Sequence, residues 1–139
     1  MTERRERSVR VRIANDSDVA MARIETRRLA TDEGFTDVES AALATAVSEL
    51  AQNVLVHAGR GDVAVSVVAE QGRVGISAVA RDEGPGIADI DRAMQDGYST
   101  TGTLGLGLPS ARRLVDELHV LSVPGTGTTV TAKKWKSSR

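Results

Sequence analysis

Residues 63–86 read VAVSVVAEQGRVGISAVARDEGPG, and the punctuation of this stretch decides the fold. Val63 to Ala69 and Val74 to Ala80 are runs of β-branched and small apolar residues, a composition that suits pleated strands. Gln71-Gly72 between them is a two-residue hairpin connection, which predicts that the strands lie antiparallel. Asp82-Glu83-Gly84-Pro85-Gly86 follows at once as a turn-rich loop at the end of the second strand.

Upstream of the hairpin, Thr36-Asp37-Val38-Glu39 reads as a capping box. The helix it opens runs to about His57, with Leu43, Val47, Leu50 and Val54 at three- and four-residue spacing, and Gly59-Arg60-Gly61 stops it. Further back, Val9 to Ile13 alternates apolar and polar residues as a half-buried strand does. Asn15 and Asp16 offer cap oxygens to a first helix that ends near Gly34, with Val19, Ala22, Leu29 and Ala30 on its apolar face. Residues 1–8, a charged run, and 136–139 are expected to be flexible.

Downstream, a short helix is expected over Ile87 to Met94, then a polar stretch from Gln95 to Gly105 and a helix from about Leu106 to Leu118. Strands at Val120 to Val123 and Thr128 to Lys134 flank the turn Pro124-Gly125-Thr126-Gly127. The order β-α-α-β-β-α-β-β predicts one α/β domain over residues 1–139. Its sheet is expected to be mixed and mostly antiparallel, with helices covering one face.

Composition removes several classes of function. With 18 basic and 19 acidic residues the net charge is -1, so the basic footprint of a nucleic-acid binder is missing. The only aromatics are Phe35, Tyr98 and Trp135, too few for a base-stacking platform. The absence of cysteine excludes disulfides, thiolate metal sites and cysteine nucleophiles. No stretch is apolar enough for a membrane span or a signal peptide, so a cytoplasmic protein without membrane or nucleic-acid partners is expected.

The familiar phosphate-binding and hydrolase patterns are also missing. There is no G-x-x-x-x-G-K-[ST], G-x-S-x-G or H-E-x-x-H, and residues 102–107 (GTLGLG) do not fit G-x-G-x-x-G. Glycine placement and one helix face remain. Gly84 and Gly86 let backbone approach a ligand beside Asp82, whose carboxylate suits an exocyclic amine such as that of adenine; a plain tight turn describes the same residues. Gly102, Gly105 and Gly107 precede a helix start with Pro109 and Ser110, where free N–H groups favour phosphate; an ordinary loop has the same composition. Ser99, Thr100, Thr101 and Thr103 could touch phosphates, although loop polarity alone explains them.

Glu49 and Asn53, four apart, project from one face of the second helix, a pattern that a solvated face also produces. An amide oxygen suits Mg²⁺, and a carboxylate one turn away can deprotonate a hydroxyl. His57 continues that face and reads as a helix-end residue; His119 reads as a strand-edge residue.

Taken together and in this order, these segments resemble the GHKL ATPase/kinase superfamily. Glu49-Leu-Ala-Gln-Asn53 is similar to its N box, Asp82-x-Gly84-x-Gly86 to its first glycine box, Gly105-Leu-Gly107 to its second, and Gly125-Thr-Gly127-Thr128 to its last. Ser48 to Asn53, Gly84 to Ile87, Gly97 to Thr100 and Gly105 to Pro109 look most like the RsbT-type serine/threonine kinases, the switch kinases of the stressosome in bacterial partner-switching pathways. That likeness runs from the first strand to Trp135.

The resemblance implies a Bergerat-type two-layer α/β sandwich, ATP with Mg²⁺ as cofactors, and a serine or threonine substrate on a STAS-domain antagonist. It makes Glu49 the catalytic base, Asn53 the metal ligand and Asp82 the acceptor of the adenine amine, with Gly86 and Thr128 lining the same pocket. Gly105 and Gly107 would shape a lid over the phosphates, and Gly84, Ile87, Thr100, Leu106 and Leu108 complete the implied nucleotide-binding set. Activation of a PP2C-type phosphatase regulator after release from the antagonist is a further implication of membership. One departure stands out: sigma-factor-binding relatives often carry a lid Arg before the second glycine box, where this chain reads Gly102-Thr103-Leu104. An anti-sigma factor that binds a sigma subunit and a non-catalytic ATP-dependent switch remain the alternatives.

Overall fold

The computed structural model describes residues 7–86 and 107–137. In chain order these form β1 (Ser8–Ile13), α1 (Asp16–Asp32), α2 (Asp37–Ala58), β2 (Gly61–Glu70), β3 (Arg73–Asp82), α3 (Gly107–Leu114), β4 (Glu117–Val123) and β5 (Gly127–Trp135). The five strands make one sheet in the order β1-β2-β3-β5-β4. Every pairing among the described residues is antiparallel, so the mixed sheet expected from sequence is fully antiparallel here.

Both long helices start on reciprocal caps. Asn15 Oδ1 accepts from the Asp18 N–H at 3.0 Å, and Asp18 Oδ2 accepts from the Asn15 N–H at 3.2 Å. Thr36 Oγ1 accepts from the Glu39 N–H at 3.0 Å, and Glu39 Oε1 returns the bond to the Thr36 N–H at 2.8 Å. Each pair satisfies two N–H groups that a helix start leaves open. Gly59 ends α2 in the left-handed conformation at φ 80°, its N–H bonded to the Leu55 carbonyl at 3.0 Å. In the β2–β3 hairpin both Gln71 and Gly72 have positive φ, 51° and 79°, the backbone that a tight two-residue turn needs.

The period of two along the strands sorts the sheet into two faces. Ile13, Val63, Val65, Ile76, Ala78, Ala80, Val130 and Ala132 are buried and form one core with Leu43, Ala46, Val47, Leu50 and Val54 of α2. The alternate positions are less covered: Ala64, Ser66, Ser77, Val79, Thr129 and Thr131 are partly buried, and Arg10, Arg12 and Arg81 are exposed. The result is two layers, helices on one face of a sheet. No helix among the described residues is long and apolar enough to cross a membrane.

Three boundaries differ from the sequence reading. α3 ends at Leu114 instead of Leu118, because the Asp116 N–H bonds the Lys133 carbonyl at 2.9 Å and Glu117 already pairs with β5. At the amino end, Ser8 pairs with Ser66, and Arg7 reaches Glu33 at 2.7 Å and Asp32 at 3.2 Å. At the carboxyl end, the Lys136 N–H bonds the Val74 carbonyl at 2.8 Å and the Ser137 N–H bonds Glu39 Oε2 at 3.0 Å. Arg7, Ser8, Lys136 and Ser137 are therefore tied to the body of the domain, whereas residues 1–6 and 138–139 lie outside the described residues.

Candidate functional site

On α2, Leu50, Asn53, Val54 and His57 fall at i, i+3, i+4 and i+7 and so share one face. That face overhangs the ends of β3 and β5, and the space between is closed by Leu108 from α3 and by Gly86. Leu50, Val54, Ala80, Leu108 and Val130 give the pocket aliphatic walls. Asn53, His57, Asp82 and Thr128 supply its polar groups. An apolar slot with a few convergent polar groups is the usual form of a small-molecule site.

Asp82 is the last residue of β3 and stands opposite Thr128 of β5. Its Oδ1 accepts from the Gly84 N–H at 2.9 Å, which fixes the carboxylate in a local turn. The loop is thus a tight turn, and Asp82 and Gly86 also line the pocket. The loop is pinned from the other side by the Gly125 N–H on the Pro85 carbonyl at 2.7 Å. Two glycines permit that approach. Gly86 has φ 80°, and a Cβ on it would lie 2.6 Å from the Val123 carbonyl oxygen. A Cβ on Gly127, at φ 149°, would collide with the Asp82 carbonyl oxygen. Thr128 keeps its hydroxyl 2.9 Å from Ser122 Oγ, which holds this side chain at the pocket wall.

The structure thus brings Asn53, Asp82, Gly86, Leu108 and Thr128 around one space. Gly84 lies beside them, with room for a Cβ denied by Ala58 at 2.7 Å, and Gly107 is the first residue of α3. Glu49 sits one helical turn before Asn53, half-buried and outside the pocket wall. Burial alone pushes its carboxyl above the usual carboxylate range. Ile87, Thr100, Gly105 and Leu106, with the rest of the expected lid, lie outside the described residues.

His57 is in the last turn of α2, as its sequence position predicts, and it is also a wall of the pocket. Burial depresses its imidazole pKa more than the nearby charge of Asp82 restores it. The available signal was its position four residues after Asn53 on the same stripe; the contact with the end of β3 could not be read from the helix alone. The aliphatic wall residues Leu50, Val54, Ala80 and Val130 were legible only as core.

For a divalent cation, Asn53 offers an amide oxygen at the pocket edge. Among the described residues no three His, Cys, Asp or Glu side chains gather into a metal cage. Mg²⁺ fits such a place, because it takes one or two protein ligands and completes its shell with phosphate and water oxygens.

The family model of the histidine kinase-like ATPase domain matches residues 6–134. The chain belongs to the histidine kinase-like ATPase family. Among relatives of this ATPase domain, the serine/threonine-protein kinase RsbT of Bacillus subtilis (strain 168) is 46% identical over 125 residues, covering 90% of this chain and 94% of that one. The anti-sigma F factor of Caldanaerobacter subterraneus subsp. tengcongensis is 30% identical over 127 residues, covering 88% and 89% of the two chains.

Two solved structures share the fold. One contains the RsbU and RsbW domains of a Mycobacterium tuberculosis protein, with a TM-score of 0.63 at 19% identity; the match covers 98% of this chain and 34% of that one. The other is the SiaB–SiaC complex of Pseudomonas aeruginosa, with a TM-score of 0.52 at 13% identity, covering 92% and 88%. The sheet with helices on one face is thus the GHKL arrangement, and the domain stands with the serine/threonine kinases of this family.

Proposed function

We propose that this domain is the serine/threonine kinase of a cytoplasmic partner-switching pathway, transferring the γ-phosphoryl group of ATP to a STAS-domain antagonist. The observation that carries the reading is the placement of Asp82 in an apolar-walled pocket with Asn53, one helical turn from a carboxyl whose pKa is raised. The 46% identity to a protein named a serine/threonine kinase supports the choice of activity.

In this reading Asp82 accepts a hydrogen bond from the adenine amine while the aliphatic walls cover the ring. Asn53 would hold the metal through its amide oxygen, and Mg²⁺ when bound would supply charge neutralisation at the phosphates. The Glu49 carboxylate takes the proton of the acceptor hydroxyl as its oxygen bonds to the γ-phosphorus. The bond from that phosphorus to the β–γ bridging oxygen breaks, and ADP departs. A raised pKa makes the Glu49 carboxylate a stronger base than an ordinary one. Gly84, Gly86, Leu108 and Thr128 shape the nucleotide site, and the resemblance adds Ile87, Thr100, Gly105, Leu106 and Gly107 to the nucleotide-binding set. On release from the antagonist the kinase is proposed to activate a PP2C-type phosphatase regulator.

The test is Glu49→Ala with a STAS-domain substrate and ATP: nucleotide binding is retained and phosphotransfer is lost. Full transfer by that variant would remove Glu49 from the role of base. The 30% identity to a protein named an anti-sigma F factor favours a second reading, in which the domain also sequesters a sigma subunit. Co-purification with a sigma factor, without STAS or phosphatase partners, is the outcome that would select it.

A further inference from the structure

Arg12, Arg60 and Arg81 meet at one corner of the sheet, around a shallow depression that Asp62 and Glu83 also line. The strand register explains the meeting. Asp62 of β2 stands opposite Arg12 of β1 on one side and opposite Arg81 of β3 on the other, and the period of two puts all three on the face that the helices leave open. Arg60 leads into β2 at the same end. All three arginines are exposed, and none forms an ion pair or a side-chain hydrogen bond among the described residues. Asp62, the carboxylate between them, is engaged by Arg10 at 3.2 Å. Arg10, Arg12, Arg60 and Arg81 thus outnumber Asp62 and Glu83 here, in a chain whose net charge is -1. Asp82 belongs to the opposite face of β3, where it lines the apolar pocket.

From this pattern we propose that the corner is a docking site for an acidic segment of a partner protein. The proposal rests on charge and register alone and does not need the nucleotide reading. Cations gathered on neighbouring strands of one face repel one another, and carboxylates brought by a partner remove that repulsion. Arginine suits the task, because its planar fork grips a carboxylate through two parallel bonds. Arg12 and Arg81 are two strands apart, roughly 10 Å at the usual strand spacing, which is wider than one small anion and matches carboxylates repeated along a chain. The next row of the same face carries Ala64 and Val79, small side chains that leave a flat floor for such a segment to lie on. A uniform polyanion such as nucleic acid fits less well, because Asp62 and Glu83 stand among the arginines and would repel it. The corner also lies back to back with the apolar pocket across the end of β3, since Arg81 and Asp82 are consecutive. A partner seated there leaves the helix layer, with Glu49, open to a second one.

The experiment measures fluorescence anisotropy of a labelled peptide of alternating glutamate and serine at low salt. The proteins are the wild-type chain, Arg12→Gln/Arg81→Gln, and a control pair, Arg23→Gln/Arg27→Gln, which removes the same charge from exposed positions of α1. The comparison ligands are the same peptide with glutamine for glutamate, a single-stranded oligothymidylate, and ATP. Wild type is expected to bind the glutamate peptide and not the glutamine peptide. The Arg12/Arg81 variant is expected to bind it roughly threefold to thirtyfold more weakly, the range for two exposed ion pairs, with the control pair close to wild type. Urea melts are expected to show all three proteins folded, because every replaced side chain is exposed. No binding of the glutamate peptide by wild type would overturn the proposal, as would equal affinity in the Arg12/Arg81 variant or an equal loss in the control pair. Oligothymidylate bound more tightly than the peptide through the same arginines would assign the corner to nucleic acid instead. An equal loss of ATP affinity in the Arg12/Arg81 variant would assign it to the nucleotide. A wild-type dimer in sedimentation that this variant abolishes would assign it to a second copy of the chain, and each of these three results overturns the proposal.

Discussion

The β3–β5 pair ends in two different ways. At one end Gly75 stands opposite Trp135, and side chains close the structure. Arg73 stacks on the Trp135 ring at 4.0 Å, the indole N–H reaches Glu117 at 3.1 Å, and the Trp135 backbone N–H reaches Asp116 at 2.7 Å. At the other end Asp82 stands opposite Thr128, and glycines let backbone approach backbone while the side chains above leave a pocket. The same ladder thus carries a clasp of bulk and charge seated over Gly75 at one end, and a pocket beside closely approaching backbone at the other. The two ends rest on different contacts, side chains around Trp135 at one and close backbone approach at Gly86 and Gly127 at the other. Substitutions at the two ends should therefore separate their effects on stability from those on the pocket.

The largest expected effect breaks the glycine end. Gly127→Ala places a methyl group into the Asp82 carbonyl, and a loss of about 2–4 kcal/mol is expected from backbone displacement. Gly125→Ala is the control: its φ is also positive, but nothing lies within 4 Å of the added Cβ, so only a conformational cost of about 1–2 kcal/mol applies. Urea melts of the two variants check the order; equal losses would mean that the close approach at 127 is not what that glycine serves. At the clasp, Trp135→Ala is expected to cost about 1–3 kcal/mol through lost ring packing and the lost Arg73 contact, with nucleotide affinity unchanged. A parallel fall in nucleotide affinity would show that the two ends are coupled.

Two smaller effects concern charge. The folded-state pKa of Glu49 is raised, so folding disfavours its ionised form, and the penalty grows as pH rises through the ordinary carboxylate pKa toward the folded one. Glu49→Gln is therefore expected to raise Tm modestly at pH 7, with the gain vanishing in acid where both states are protonated. A variant less stable than wild type at pH 7 would contradict this. For His57 the folded pKa is lowered, so its contribution to stability is present above the ordinary imidazole pKa and is lost as pH falls toward the folded value. Comparing the pH dependence of Tm between pH 7.5 and 5.5 for wild type and His57→Phe checks this: the variant should lose less on acidification.

The fold was legible wherever local chemistry decides local structure. Thr36 and Glu39, Gly59, and Gln71-Gly72 announce a helix start, a helix stop and a hairpin through contacts within four residues. The end of α3 was not legible, because it is set by Asp116 pairing with the backbone of Lys133 and Trp135 across the sheet. The same distinction holds for the site. Asp82 and its glycines signal a special loop, and Asn53 signals a helix face, but nothing in either segment says that the two meet. His57 shows the same limit: its place on the helix is legible, but the pocket wall it forms depends on the strand ends nearby. Likewise Val54 and Val130 read as core, and only the fold shows that the core opens beside them.

The central claim is that the glycine-built end of the sheet reads an adenine through Asp82. Calorimetric titration of wild type and Asp82→Asn with ATP and with ITP, in which an oxo group replaces the amine, tests it most directly. Wild type should prefer ATP by about tenfold or more, as expected for a hydrogen bond to a charged acceptor. Asp82→Asn, whose amide can face either group, should lose most of that preference. A variant that still prefers ATP over ITP as strongly as wild type would contradict the account.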